Sequence, residues 1–557
     1  MKNPVACRVY DLITRNFEHV MSMDPDHEVY VDHRNVRKKY RELRDDSFSF
    51  ARGLLKLGMR RGDHLALWLP NRYEWLVVEL ACALIGVSVV NLNTRYKEEE
   101  LSYILKDSDA RALVFQDHLL GMNFTNIVEK LIPEITWHPR PSFIKSEQYP
   151  ALRFCIGIGS QLPSSVIPFQ TVMDDGATDP FESDAFEQVT VRDVMNLFYT
   201  SGTTSFPKGV MQTQESLLRH SHDAFLNWNV TCHDRVLVVP PFSGITGFNL
   251  LMGTLTHGAT LITMDVFDVE SCLKLIEREK VTMLVGFDSM LHPMLTSGIM
   301  EKYDLSSLKK GGAAVMERPL QQALAFYEQK LKFPMVTPYG LSEANALLLV
   351  ASPEDPFDKR TKYPGGRLLG ADKEVKLVSL ADGTPVKPGE IGEICTKGYH
   401  VMKGYYKAAE ATAAAIDSEG WLHTGDLGIQ MDDCIYYLGR MKDSLKVRGF
   451  TFSPAEVEEV LNRHPKVEMV QVVGIPLGPG EDYVVACIKT KDAHDRPSPD
   501  EFIAYCREKM ASYKAPKQVL FVDTFPTTTT GQAGNKIKKN ELRKWVETQI
   551  NFEEIQR

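Results

Sequence analysis

The sequence predicts an α/β fold: a large N-terminal region of several subdomains, with parallel sheets covered by helices plus a small β-rich subdomain, and then a small α+β C-terminal region. Three observations predict it. Short apolar runs alternate with amphipathic helical stretches from Val29 to Phe115 and again after Arg235, and strands alternating with helices imply a parallel sheet covered on both faces. Near Gly365 the texture changes to short strands and turns (KEVKLVS, ADGT, EIGEICTKG). From about Lys442 charged helices mix with strands: SPAEVEEVLNRH, VEMVQVVGIP, VVACIKT and DEFIAYCREKM. A chain of 557 residues is long enough for roughly three or four domains.

In chain order, RELRDDSFSFARGLLKLGM is an amphipathic helix ending at Gly58, HLALWLP a strand, and NRYEWLVVELACALIG a helix closed by Gly86. SVVNLN, EEELSYILKDSDA and ALVF continue the alternation as strand, helix and strand. Residues from about Thr136 to Val189 are rich in proline and poor in periodic runs, and read as an irregular surface connection. Met195 to Tyr199 is a buried strand, followed by a loop and by a helix with Leu217, Leu218, Phe225 and Leu226 on one face. RVLVVP, GATLITM, VTMLVGF and FPMVTPYG are further strands, and a helical stretch starts at Asp304.

Composition excludes several classes. The net charge of −9 gives no reason to expect nucleic acid. Nine cysteines without a C-x-x-C pair fit reduced thiols in a cytoplasm, not a disulfide framework or a zinc site. The N-terminus carries Arg8, Asp11 and Arg15 where a signal peptide needs an apolar core. The most apolar run, Trp75 to Leu92, contains Glu79 and Gly86 and reads as a buried helix passing into a strand, so no integral membrane segment is expected. Oligomeric state stays open.

The loop after Tyr199 is Thr200, Ser201, Gly202, Thr203, Thr204 and Ser205, closed by Pro207, Lys208 and Gly209. Such a loop turns backbone N–H groups and hydroxyls inward, making a concavity for phosphate oxygens with Lys208 as a point charge. Taken by composition alone it is equally a polar turn. It is not a Walker A loop, because no Lys-Ser or Lys-Thr follows a glycine at the required spacing.

The whole string YTSGTTSFPKG resembles the phosphate-loop signature of the adenylate-forming superfamily (acyl-CoA synthetases, luciferases and peptide-synthetase adenylation domains), with Ser205 where the family usually carries glycine. Further strings follow in the family's order. Gly311-Gly312-Ala313-Ala314 resembles the segment along the adenine. Tyr339-Gly340-Leu341-Ser342-Glu343 resembles Y-G-x-T-E with serine for threonine. The resemblance implies that Tyr339 faces the adenine, Ser342 the α-phosphate, and Glu343, with Thr200, a Mg²⁺ ion; a carboxylate suits that hard cation. Trp421-Leu422-His423-Thr424-Gly425-Asp426 matches W-x-x-T-G-D, whose aspartate accepts from the ribose hydroxyls. Gly439-Arg440-Met441-Lys442-Asp443 matches the hinge string, with Arg440 reaching the ribose and Lys442 as pivot, and Lys446 and Gly449 continuing it. The domains implied are 1–438 for ATP and acid, a hinge at 439–443, and a mobile C-terminal domain at 444–557.

The family's last motif, P-x-x-x-T-G-K-[IL], is disturbed. Four residues intervene between Gly531 and Lys536, or Gly534 plays the glycine and only Asn535 is extra; Lys536 is followed by Ile537 and is chosen over Lys538. The plain alternative makes KIKKNELRK a solvated basic helix start. The acid pocket implied lies around Pro241-Phe242-Ser243-Gly244-Ile245-Thr246-Gly247, with Phe248, Phe287, Met290, Leu341 and Ala344 as further contacts; all of these are equally compatible with ordinary core. No basic residue stands there to pair a second carboxylate.

The resemblance thus implies an AMP-forming carboxylic acid:CoA ligase using ATP, Mg²⁺ and coenzyme A on an apolar acid of short to medium length, linear, alicyclic or aromatic. The alternatives are a stand-alone enzyme loading a carrier protein, disfavoured because no carrier domain follows, and a non-catalytic acyl-nucleotide binder.

Overall fold

The computed structural model describes residues 7–550 apart from 137–142, 179–183, 201–206, 316–317, 448–449, 479–480, 493–494 and 531–533. Two mainly parallel sheets carry the first half of the chain. The eight-stranded one runs, edge to edge, Gly404–Tyr405, Lys208–Thr213, Val194–Thr200, Ser88–Asn91, His64–Trp68, Ala112–Gln116, Phe154–Ile158 and Ile167–Pro168. It is parallel from Val194–Thr200 onward and antiparallel at the two strands before it. The seven-stranded sheet is parallel from Met335–Val336 to Glu28–Asp32, with Arg37–Lys39 as an antiparallel edge.

Helices bury both sheets, as parallel strands require. Tyr73–Leu84 is buried along nearly its whole length, and so is Ile245–Thr256 from Gly247 on. Trp75, Phe198, Phe225, Phe242 and Phe248 from several of these elements share one core. Burying such aromatic side chains is worth roughly 1.5–3 kcal/mol apiece relative to exposure. Tyr73–Leu84 also carries a fully buried Glu79, which accepts from Asn196 Nδ2 at 3.1 Å. No helix among the described residues is long and apolar enough to cross a membrane.

A third sheet of six antiparallel strands follows: Leu349–Val350, Gly365–Leu368, Cys434–Arg440, Leu422–Met431, Ile391–Gly398 and Lys373–Val378. The small C-terminal region has a sheet of Val467–Gly478, Glu481–Thr490 and Gln518–Phe521, flanked by the helices Pro454–Asn462, Pro499–Lys509 and Lys539–Gln549. Ser453 caps the first of these helices in a capping box with Glu456, Pro454 sits in its first turn, and the Ser453 hydroxyl donates to Leu438 O at 2.6 Å.

Three local expectations change. The stretch from Thr136 to Val189 is not an irregular connection. Phe154–Ile158 is a buried strand, Ile167–Pro168 extends the sheet, and Phe169–Ala177 is a helix against Tyr40–Lys56. Pro168 ends the strand Ile167–Pro168 and caps the helix Phe169–Ala177, where a missing N–H costs nothing, and Pro150 and Pro163 lie between elements. The residues after Asp304 form turns rather than a helix, with Asp304 Oδ1 accepting from Ser306 N, and Lys310–Ala314 is a strand. Leu226 is exposed at the end of its helix.

Candidate active site

Several of the expected site residues lie at the carboxyl ends of parallel strands. Thr200 ends Val194–Thr200, Phe287 ends Met283–Phe287, and Ala314 ends Lys310–Ala314. Open α/β sheets bind ligands at that edge. Gly312 and Ala313 are buried within the last of these strands. Lys208 lies across from Thr200 in register, at the far mouth of the loop. Ser201, Gly202, Thr203 and Thr204 lie outside the described residues, as does Gly449.

Tyr339, Asp426 and Arg440 meet directly. The Tyr339 hydroxyl donates to Asp426 Oδ2 at 2.7 Å, and Arg440 Nε stands 3.0 Å from Asp426 Oδ1. Register explains the second contact, since Asp426 and Arg440 are partners on neighbouring antiparallel strands. Burial, and after it the Asp426 carboxylate, raises the Tyr339 phenol well above its ordinary range. Burial works against the Arg440 cation, but Asp426 outweighs it and the net shift is upward. Asp426 thus stays an acceptor, held by one phenol and one guanidinium.

Glu343 lies on a short 3-10 turn, Ser342–Ala344. Its Oε1 accepts from the Tyr405 hydroxyl at 2.8 Å, and Lys208 Nζ sits over the Tyr405 ring, 5.1 Å from its centroid. Among the described residues no cation pairs with this half-buried carboxylate. That donor set fits a hard cation such as Mg²⁺, which needs only one or two carboxylates beside phosphate and water. Ser342 O accepts from Gln212 Nε2 at 2.7 Å.

The backbone around this turn is strained. Asn345, Ala346 and Leu347 all have positive φ, at 67°, 49° and 36°, and such residues cost on the order of 1 kcal/mol each and cluster at functional sites. Gly340 runs alongside, where an added Cβ would stand 2.6 Å from Ala346 C. Buried polar groups hold the turn. Asn345 Nδ2 donates to Ser216 O at 2.5 Å, and Asn249 Nδ2 donates to Asn345 Oδ1 at 3.1 Å. Lys373 Nζ, 3.2 Å from His220 Nδ1, fixes the tautomer in which His220 Nε2 donates to Ala346 O at 2.8 Å. Burial lowers the His220 imidazole well below its usual range, with Lys373 adding to the effect; burial likewise brings Lys373 down to about 8.

Of the pocket residues, Phe242 and Phe248 pack edge-on against Trp75 at 5.4 and 6.0 Å, and Phe248 against Phe198 at 5.5 Å, so their rings belong to the core. Ser243, Gly247, Phe287 and Ala344 are buried, whereas Met290 and Leu341 are half-buried. Lys442 is exposed on the single 3-10 turn Met441–Asp443, and burial of its stem lowers its ammonium. The Lys446 side chain is exposed, and its backbone N–H donates to Asp482 Oδ2. Lys536 is on the second of two antiparallel strands, opposite Thr528, and the basic helix begins only at Lys539; residues 531–533, between the strands, lie outside the described residues. The strand Gly534–Ile537 lies against the helix Asp288–Thr296; the Lys536 side chain lies outside the described residues. Lys538 pairs with Glu541 at 2.7 Å.

Tyr405 and Tyr437, which stacks on Tyr339 with centroids 5.1 Å apart, escaped sequence reasoning. Both reach the site only through sheet register, a signal that no short string carries.

The profile of the AMP-binding enzyme family matches residues 17–406, and that of the AMP-binding enzyme C-terminal domain matches 456–532. YngI of Bacillus subtilis (strain 168), whose name assigns it provisionally as an acyl-CoA synthetase, is 37% identical over 541 residues, covering 96% of this chain and 97% of its own. The mitochondrial medium-chain acyl-CoA ligase ACSF2 of Homo sapiens is 30% identical over 533 residues, covering 94% and 85%. Among solved structures, the anthranilate CoA ligase AuaEII in complex with anthranoyl-AMP superposes with a TM-score of 0.80 at 23% identity, covering 98% of both chains. The Mycobacterium tuberculosis fatty acyl CoA synthetase does so with 0.71 at 25% identity, covering 98% and 99%. Set beside the meeting of Tyr339, Asp426 and Arg440, these matches mean that the chain belongs to the AMP-binding enzyme family, as an acyl-CoA-synthetase-like member.

Proposed function

We propose that the protein is an AMP-forming carboxylic acid:CoA ligase acting on an apolar acid of short to medium length. The observation that carries the proposal is the meeting of Tyr339, Asp426 and Arg440, with Glu343 close enough to Arg440 to act on its charge. The names of relatives, one of them a medium-chain acyl-CoA ligase, support the acid class.

A carboxylate is a poor acyl donor because its leaving group would be oxide. In the first step the acid oxygen attacks the α-phosphorus of ATP, and the bond to pyrophosphate breaks. In the second the sulfur of CoA attacks the acyl carbonyl, AMP leaves with the electron pair of the carbon–oxygen bond, and the thiol proton goes to solvent. Two anions must meet in the first step, so oriented donors and positive charge do most of the work. Lys208 and the loop N–H groups hold the phosphates, Asp426 accepts from the ribose hydroxyls, and Tyr339 with Tyr437 offers a face to the adenine. Ser342 stands toward the α-phosphate, and Lys536 serves the acid and that phosphate. Mg²⁺ held by Glu343 and Thr200 would supply charge neutralisation for the phosphates. Lys442 is the pivot about which the C-terminal region re-docks for the second step, when Gly449, lacking a side chain, lines the thiol's route.

ATP–pyrophosphate exchange with a panel of linear, alicyclic and aromatic acids tests the proposal, followed by addition of free CoA or of a carrier protein. Acid-dependent exchange and thioester on free CoA are expected. Exchange with transfer only to the carrier would replace the CoA reading, and no exchange with any acid would leave a binder.

A further inference from the structure

Away from Glu343, three side chains of different chemistry meet on the six-stranded sheet. Cys395 and His423 are register partners on neighbouring strands, and Glu393 lies two residues before Cys395. Cys395 Sγ is 3.5 Å from His423 Nδ1, Glu393 Oε2 is 2.9 Å from the same nitrogen, and all three donor atoms lie within 4.8 Å of one another. A tetrahedral zinc ion, with Zn–S of about 2.3 Å and Zn–N of about 2.0–2.1 Å, sets sulfur and nitrogen about 3.5 Å apart. Behind the ring, His423 Nε2 is 3.5 Å from Asp417 Oδ2. Without an ion, Nδ1–H of His423 can donate to Glu393 Oε2; with one in place, Asp417 can accept from Nε2–H, the usual support of a ligating histidine, and Nδ1 faces the ion. Glu393 Oε1 is already taken by the Gly425 N–H at 2.9 Å, which leaves Oε2 as a single donor.

We propose that Glu393, Cys395 and His423 form a binding site for a borderline-soft divalent transition ion, best suited to Zn²⁺, with water completing the shell. Sulfur in the donor set excludes Mg²⁺ and Ca²⁺, which take oxygen ligands. The His423 side chain keeps 36% of its exposure, so an ion reaches it from solvent. The ion enters as the Cys395 thiol proton leaves to solvent, since the thiolate is the ligating form. Glu393, the thiolate and Asp417 together offset the dication against Lys376 and Lys397, whose Nζ atoms lie 4.0 and 5.8 Å from the Trp421 ring centroid. The ion sits one hydrogen bond from the Gly425–Asp426 turn and apart from the phosphate-facing carboxylate.

Two titrations of the full chain, stripped of metal by a chelator, test this. Zn²⁺ is titrated in competition with a chromophoric chelator, and Co²⁺ is followed by its sulfur-to-metal charge-transfer band. One equivalent of Zn²⁺ and a Co²⁺–thiolate band are expected. Cys395→Ser should abolish the band and, like Glu393→Gln, weaken Zn²⁺ by about tenfold or more, while Cys272→Ser, at a buried thiol elsewhere, should change neither. Failure of the wild-type chain to take up an equivalent at micromolar Zn²⁺ would overturn the site without recourse to variants. So would a folded Cys395→Ser protein that keeps both the equivalent and the band.

Discussion

At the scale of single residues, the proposed chemistry bears most on Glu343. Its carboxylate accepts from Tyr405 and makes no ion pair among the described residues. Glu343→Gln keeps the shape and the hydrogen bond while removing the charge. Pyrophosphate exchange should fall by about two to three orders of magnitude, the scale of losing one transition-state stabiliser, with the melting temperature unchanged. Wild-type exchange would remove Glu343 from the phosphate chemistry. Tyr405→Phe leaves the charge and loses one hydrogen bond, so a loss of about tenfold is expected. Glu343, Asp426 and Arg440 were legible in the sequence because each sits in a short string whose spacing is fixed by one turn or one strand. Tyr405 was not, because it is brought to Glu343 by a two-residue strand paired with Val210.

At the scale of elements, the turn Asn345–Leu347 carries the argument. Three successive left-handed residues persist only if their surroundings hold them, and His220 Nε2 on Ala346 O is one such hold. His220→Leu should raise the Mg²⁺-ATP concentration needed for half-maximal exchange, and His220→Gln, which can still donate, should restore most of it. Equal behaviour of the two variants would show that His220 only fills space. The helix Tyr73–Leu84 offers a second test. Burial pushes the Glu79 carboxyl from 4.5 up to about 8. The folded chain therefore holds a proton that the unfolded chain has released between those values, and stability falls as pH rises through that window, then levels off. Glu79→Gln removes this dependence, so its melting-temperature gain over wild type should grow from about pH 5 to about pH 8; a constant difference would contradict it. The helix itself was readable from its apolar run. The strand Phe154–Ile158 was not, because five apolar residues among prolines lack the alternation that marks a half-buried strand.

At the scale of the whole molecule, the parallel strands carry Thr200, Phe287 and Ala314 at their carboxyl ends, and the antiparallel sheet contributes Asp426 and Arg440. The alternation of strands and helices made the parallel sheets legible. The strand pair carrying Lys536 was not, since no motif spacing announces that Thr527–Thr530 and Gly534–Ile537 pair. The small region touches the rest through Ser453 on Leu438, Gln322 on Asn462 and Tyr363 with Glu459. A cavity of about 620 Å³ opens between them, lined by His292, Arg318, Phe326, Lys489 and Ile537 among others. Few polar contacts among the described residues and an open cleft suit the re-docking proposed for the two half-reactions.

Separating the two half-reactions tests that claim most directly. Lys536→Ala should abolish acyl-AMP formation yet still convert supplied acyl-AMP and CoA to thioester. Lys442→Pro, which fixes φ at the pivot, should form acyl-AMP and fail to transfer it. If Lys536→Ala adenylates normally and Lys538→Ala does not, the lysine has been placed in the wrong register; if Lys536→Ala and Lys442→Pro lose both half-reactions equally, the two-position account is contradicted.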